Sequence, residues 1–377
     1  MYMAVKGGEK AVHHSQKQLE KKRRGPESIP EIGSDQIQYQ LGLAVDRVMA
    51  EGAFYDPKAA AVALKQAQGD AVEAVFLLRS FRNTLKRYGS SRPLDTQNMQ
   101  VIRRISGIYK DIPGGQLLGP TYDYSQKILD FTCQTEPARN GDKNATTDKT
   151  TPQAKEEPAR NCSWVVEILK SKGLLQENPE SLIGEPVADL TQEPLCYPAS
   201  RSLRLQRMAR GDEGFLLGSA YSLQRGFGMD VHPFLAELRV GHVMVSYTPP
   251  ELGFEINLGK IKVTEAFVIN RKGKEAEQTD FFEAGYGLVF GHNERKAISM
   301  ALLDRSLQNS EKKQARYPAQ DHEFILSHSD NVEASGFLQH LKLPHYVAFQ
   351  SELISARPQD RKEERVKKRK KTVESSI

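Results

Sequence analysis

Between Gln134 and Asn161 the chain contains no Val, Ile, Leu, Met, Phe, Trp or Tyr. Such a stretch cannot bury enough apolar surface to offset the entropy of ordering it, so a mobile polar surface insert is expected there. It carries Glu-Pro-Ala-Arg-Asn twice, at 136–140 and 157–161, a local duplication rather than a structural repeat. A core must therefore be built from what lies on either side. The whole chain has 377 residues and is 38% hydrophobic, enough for a sizeable core. The expected organisation is a mainly helical region over 1–133, the insert over 134–161, an α+β region over 162–356 and a solvated basic tail over 357–377.

Charge supports this division. The tail Arg357–Ile377 has nine Lys or Arg against four Asp or Glu, which accounts for the entire net charge of +5. The body is then close to neutral, so no nucleic-acid-binding surface is expected on it. Cys133, Cys162 and Cys196 are odd in number and form no CxxC pair, which argues against a disulfide framework, a zinc ribbon or an iron–sulfur cluster. No apolar h-region follows the first basic residues, and no apolar run approaches the roughly 18 residues of a membrane span, so a cytoplasmic location is expected.

Before the insert the periodicity is helical. Asp35 can cap a helix reaching Glu51, Asp56-Pro57 is a cap followed by proline at the first helical position, and Asp70 with Glu73 resembles a capping box. Ala71, Val75, Leu78 and Leu85 share a face of the next helix, with Gly89 as its stop. A turn-rich loop at Lys110–Gly119 precedes a further helix over Tyr122–Phe131. After the insert, Cys162–Lys172 and Ser200–Arg225 read as helices. The period then changes to two: Val243–Tyr247, Phe254–Leu258 and Ile261–Ile269 predict an antiparallel meander with one wet face. Gly285-Tyr-Gly287 with Gly291 reads as a glycine-rich turn before a helix that Asn293 would cap. The fold class is α+β, a helical N-terminal region followed by a mixed region with an antiparallel sheet.

Seven of the nine histidines lie at or after His232, and His340 and His345 occupy His-Leu-Lys-Leu-Pro-His. Pro344 disfavours a continuous helix between them, and in a turn their imidazoles could converge on a metal. Two donors fall short of the three or four that zinc takes; read as a surface pair, the same histidines need no metal. Arg201, Arg204, Arg207 and Arg210 recur every third residue, and their planar forks suit phosphate oxygens, although an exposed face paired with Asp212 and Glu213 would look the same. Asp321, Glu323, His322, His328, Asp330 and Glu333 gather acids and imidazoles suited to acid–base work or, more plainly, to helix capping. Neither glycine turn fits a Walker loop or a dinucleotide fingerprint, and no GxSxG, HExxH or kinase set is present.

Several stretches together resemble one family: Val5–Ala11, Leu43–Met49, Tyr109–Tyr124, Arg210-Gly-Asp-Glu-Gly214, Gly285–Gly291 with Glu294–Ala297, Asp330–Glu333 and His340–Tyr346. They resemble the PhnI subunits of bacterial carbon–phosphorus lyase systems, from the first residues to about Glu352; the insert and tail have no counterpart. The resemblance implies a subunit of phosphonate catabolism that works with G, H, J, K and L subunits. With G, H and L it would replace the adenine of ATP by methylphosphonate, giving α-D-ribose 1-methylphosphonate 5-triphosphate. Alone it would act as a purine nucleosidase on ATP or GTP. The resemblance further implies zinc held by His340 and His345 and completed by the J subunit, with Lys110, Arg201, Arg204 and Arg210 holding phosphates. Arg207 stands where the family pattern is neutral. His322 replaces the middle member of an acidic run, leaving Asp321 and Glu323 as catalytic candidates. Two other readings are a non-catalytic scaffold that completes an interfacial metal site, and a stand-alone metallohydrolase.

Overall fold

The computed structural model describes residues 8–134, 164–175, 188–228, 231–271, 281–310 and 315–356. The polar insert beyond Gln134 and the basic tail lie outside the described residues. So does Cys162; Cys133 and Cys196 are exposed free thiols. Two compact units emerge, one over Gly33–Asp330 and one from Met1–Ile32 with Asn331–Ile377.

The larger unit contains helices α2 (Ser34–Gln40), α3 (Gly42–Gly52), α4 (Pro57–Gln66), α5 (Ala71–Thr84), α6 (Val165–Ser171), α7 (Arg201–Ala209), α8 (Glu213–Gln224), α9 (Glu294–Ser310) and α10 (His322–His328). Its four-stranded antiparallel sheet runs in the order β1 (Gln100–Ile105), β2 (Phe234–Tyr247), β3 (Ile256–Arg271), β4 (Phe282–Phe290). The smaller unit contains α1 (Gly8–Arg24), α11 (Asn331–Gln339) and α12 (Tyr346–Ala356), whose side chains include none that is buried. The α+β class and the early helices are as expected.

Local chemistry sets the helix starts. Asp56 accepts from Lys58 and Ala59 N–H (both 3.0 Å), with Pro57 at the first position. Asp70 accepts from Val72 and Glu73 N–H at 2.9 and 3.1 Å. The expected helix from Asp35 to Glu51 is two helices, because Leu41 (φ −110°, ψ 36°) leaves the helical region before Gly42. Helix α5 ends at Thr84, not Gly89; the Thr84 hydroxyl bonds back to the Phe81 carbonyl at 2.7 Å. Leu85 accordingly lies beyond the helix and is exposed. Gly89 instead makes room for an aromatic ring, since a Cβ there would come within 2.6 Å of Tyr247. The expected helix over Tyr122–Phe131 is absent. Arg103 holds that segment instead, taking the Leu118 carbonyl (2.6 Å) and the Asp123 carboxylate. The span Ser200–Arg225 divides at the Gly211 turn.

The sheet also departs from expectation. The two strands read at Phe254–Leu258 and Ile261–Ile269 are one strand, β3, in which Gly259 takes φ +131° where the register with β2 shifts. Strand β1, built from Gln100–Ile105, has no counterpart in the sequence reading. Both faces are covered in the middle. On one, Leu238, Ala266, Val268 and Val289 pack against Met300, Ala301 and Leu303 of α9 and Leu216 and Leu223 of α8. On the other, Ile269 and Ala236 pack against Val165, Val166 and Leu169 of α6, and Val243 and Val263 against Met99. Gly285–Phe290 is no turn but most of β4, and the chain bends only at Gly291 (φ +72°). A Cβ on Gly285 or Gly287 would lie 2.0 Å from the Ala301 carbonyl or 2.1 Å from the Ala297 carbonyl, so these glycines let α9 lie directly on the strand.

Gly287→Val is expected to lower stability by at least about 3 kcal/mol through forced separation of α9 from β4. Gly218→Ala, with nothing within 4 Å of the added methyl group, should be neutral or gain about 0.5–1 kcal/mol. Urea unfolding of the two variants checks the contrast.

Candidate functional site

Helix α7 carries the arginine series, and each member has a different environment. Ser200 caps the helix. Arg201 forks onto the buried Asp304 of α9 with contacts of 3.1 and 2.6 Å. Arg204 is buried and donates to the Ala199 carbonyl at 3.0 Å. Arg207 reaches the Leu326 carbonyl at 2.8 Å and Asp330 at 3.4 Å. Arg210, just past the helix, donates to the Leu190 carbonyl, and its Nε is buried without a partner among the described residues.

Around that last arginine the motif residues interlock. Asp212 caps α8 through Phe215 N–H (2.7 Å) and takes Arg47 of α3 at 3.0 Å. Glu51, fully buried in α3, accepts from Arg47 (2.8 Å) and from the Glu213 N–H (3.1 Å). Glu213 in turn takes Arg295 at 2.8 Å. Lys296 lies fully buried beside these carboxylates with no hydrogen-bond partner for its Nζ among the described residues. Burial holds its pKa down to about 8 from the ordinary 10.5, against the opposing pull of Glu51 and Glu213. The stretches Leu43–Met49, Arg210–Gly214 and Glu294–Ala297, distant in sequence, thus form one charged junction.

Beside it, Arg79 of α5 donates to both Asp330 carboxylate oxygens (2.9 and 2.8 Å) and to the backbone carbonyl of Glu51, near the end of α3 (2.7 Å). Arg82, one turn on, donates to the Gly52 carbonyl at 3.1 Å. Arg210 faces both, and burial together with the Arg79 and Arg82 charges lowers its pKa to about 10.

The remaining candidates are dispersed. Lys110 is exposed in the 109–124 loop, which Arg104 anchors by a 2.7 Å bond to the Pro113 carbonyl. Asp321 caps α10 through Phe324 N–H at 3.0 Å, and Glu323 is exposed in its first turn. His322 is engaged with the Leu307 carbonyl at 2.9 Å, and Asp330 goes to the arginines, so the acidic stretch does not form one cluster. In the smaller unit His340 and His345 do meet, their rings perpendicular at 89° with centroids 4.8 Å apart. His345 Nδ1 lies 2.6 Å from the Leu343 carbonyl, which leaves Nε2 as the ligating atom. No group of three or more metal-ligating residues occurs among the described residues. The donor chemistry therefore fits half of a tetrahedral zinc site.

The family is settled by comparison. A family model described as bacterial phosphonate metabolism protein (PhnI) matches residues 1–363. The chain belongs to the PhnI family. A protein of Escherichia coli (strain K12) is 51% identical over 94% of this chain and 96% of its own length. One of Rhizobium meliloti (strain 1021) is 49% identical over 94% and 93%. Both are named alpha-D-ribose 1-methylphosphonate 5-triphosphate synthase subunit PhnI. HtxH of Stutzerimonas stutzeri, named as a candidate C-P lyase subunit, is 41% identical over 93% and 94%. Of the motifs behind the expected resemblance, those of α3, α8 and α9 converge at the junction. Sequence reading gave no role to Arg47, Glu51, Arg79, Arg82, Lys296 and Asp304, although Arg47 and Lys296 lie within stretches that carry the resemblance.

The charges of this region can be tested one at a time. Asp330→Ala leaves Arg79 and Arg207 without their shared carboxylate and should cost about 3–5 kcal/mol in chemical unfolding. In the unfolded chain Lys296 keeps its proton up to about pH 10.5, whereas the folded protein releases it near 8. Unfolded chains then bind more protons across that window, so stability rises there with pH. Relative to Lys296→Met, the wild type should gain stability from about pH 8 to 10.5; a pH-independent difference in urea midpoint would refute the assignment.

Proposed function

We propose that this chain is the subunit of a carbon–phosphorus lyase system that, with partner subunits, displaces adenine from ATP by methylphosphonate. The product would be α-D-ribose 1-methylphosphonate 5-triphosphate, and the chain alone would hydrolyse the purine from ATP or GTP. The observation that carries this reading is near-complete coverage, at about half identity, of two relatives that bear the synthase-subunit name.

The reaction breaks a C1′–N bond through an oxocarbenium-like state, so it needs a carboxylate near C1′, an acid for the departing base and a firm hold on the phosphates. Lys110 and Arg210 are the proposed phosphate contacts. Arg201 and Arg204, engaged with Asp304 and the Ala199 carbonyl, would act by holding that region in shape. Asp321 and Glu323 are the proposed carboxylates. His340 and His345 would hold zinc together with donors from the J subunit, the metal acting as a Lewis acid at that interface. The apolar side chains beside the histidine pair, Phe337, Leu341, Tyr346 and Val347, are all exposed, as a surface that seats a partner would be.

The incomplete donor set also favours a second reading, a scaffold that contributes the two histidines while other subunits do the chemistry. Incubation of the purified chain with ATP, followed by chromatography, separates the two. Free adenine without partners supports the catalytic subunit. Adenine only in the reconstituted complex, with methylphosphonate consumed, keeps the synthase but assigns the chemistry elsewhere. Asp321→Asn should reduce adenine release at least about tenfold; unchanged turnover removes that residue. His340→Ala should abolish zinc retained by the assembled complex, measured by elemental analysis.

A further inference from the structure

Most of the fully buried arginines have a carboxylate of their own. Arg103 takes Asp123 and Glu294, Arg104 takes Glu237, Arg239 takes Glu265 and Arg305 takes Glu283. Arg204 is held by the Ala199 carbonyl, and in one place the arginines outnumber the acids. At the C-terminal end of α3, Arg79, Arg82, Arg207 and Arg210 crowd together, and the buried carboxylate among them is Asp330, already shared by Arg79 and Arg207. Asp189, the next acid toward Arg82, is taken by Arg87 and Thr191. Arg82 donates to carbonyls at the helix end and weakly to Asn83. Arg210 has one backbone acceptor and a buried Nε with none among the described residues.

Clustered guanidinium groups repel one another, and half-buried ones are poorly screened, so such an excess is costly unless an anion occupies it. The carbonyls at the end of α3 supply only about half a negative charge. We propose that Arg82 and Arg210 form a binding site for a phosphate-bearing anion, with Arg79 and Arg207, fixed by Asp330, supplying the surrounding positive field. Planar forks offering parallel N–H donors match phosphate oxygens in geometry as well as charge. The nucleoside triphosphate is the anion that the proposed synthase activity would bring here, and this assignment of the ligand rests on that reading; the anion site itself rests on the arginines.

Calorimetric titration of the full chain with inorganic tripolyphosphate, and separately with ATP, tests the proposal. Tripolyphosphate is expected to bind, at least about tenfold more weakly to Arg82→Gln and Arg210→Gln, and unchanged to Arg92→Gln, an exposed arginine elsewhere. Arg82→Lys, which keeps the charge and loses the fork, should fall between and serves if Arg210→Gln does not fold. No binding, or an equal loss in Arg92→Gln, overturns the site. Tripolyphosphate binding through these arginines without competition by ATP would keep the anion site and reject the nucleotide reading. Adenine release that is untouched by Arg82→Gln and saturates at the same ATP concentration would keep the proposed function and reject these arginines as its nucleotide site.

Discussion

Helix α9 rests on β4 at a separation that a strand with ordinary side chains would not permit. Gly285 and Gly287 put bare backbone under the Ala301 and Ala297 carbonyls, and the charged residues of α9 are carried inside with it. Lys296, Asp304 and Arg305 are all essentially inaccessible to water. Each must then be answered by another element, because an unpaired buried charge is among the most expensive features a fold can carry. Asp304 takes Arg201 of α7, and Arg305 takes Glu283 of β4 and the Asn270 side chain (2.6 Å) of β3. Lys296 sits against the Glu51 and Glu213 carboxylates of α3 and α8. The close contact of helix and strand is thus the reason that α3, α7 and α8 are arranged as they are.

The opposite face of the sheet follows the same logic with different partners. Arg239 pairs with Glu265 and stacks 4.7 Å from the centre of the Trp164 ring, while Thr96 and Tyr286 hydroxyls both donate to Glu265 at 2.9 Å. Burial, followed by the Glu265 charge, drives the Tyr286 pKa well up, so it stays a donor. Arg104 ties Glu237 to the Pro113 carbonyl, and Glu237 also takes Val165 N–H at 2.9 Å. One carboxylate thereby connects the 109–124 loop, the sheet and α6. Buried pairs of this kind contribute little net stability over apolar packing, but they tolerate few alternative registers. Their close matching gives the excess of arginines at the end of α3 its meaning.

What could be read from the residues was set by local chemistry. Asp56-Pro57 and Asp70 announce helix starts because their acceptors lie within three residues. The two-residue period of β2 and β3 announces a sheet. The His340–His345 pairing was legible because Pro344 forces a turn between them. The failures share one cause, which is that a remote partner decides. Tyr122–Phe131 has helical spacing, yet Arg103 of β1 draws Asp123 and the Leu118 carbonyl to itself. The glycines of β4 look like a turn because nothing local reveals the helix that will cover them. Lys296 and Glu51 look like solvated charges until α9 is placed on the sheet. The motif resemblance identified stretches that matter without showing that Asp330, read with the histidines before it, belongs with the arginines of α5 and α7.

The two candidate chemistries differ in how much of each this chain supplies. The arginine cluster draws all its members from the unit spanning Gly33–Asp330, and Asp330 and the end of α3 fix its geometry before any ligand arrives. The imidazole pair belongs to the other unit, where two donors meet and the helices beside them bury no side chain. A site of the first kind can bind its ligand in the isolated chain, because preorganisation is already present. A site of the second kind gains its remaining donors and its exclusion of water only when another surface closes over it. Phosphate recognition and metal chemistry should therefore separate experimentally, the first persisting in the chain alone and the second appearing with assembly.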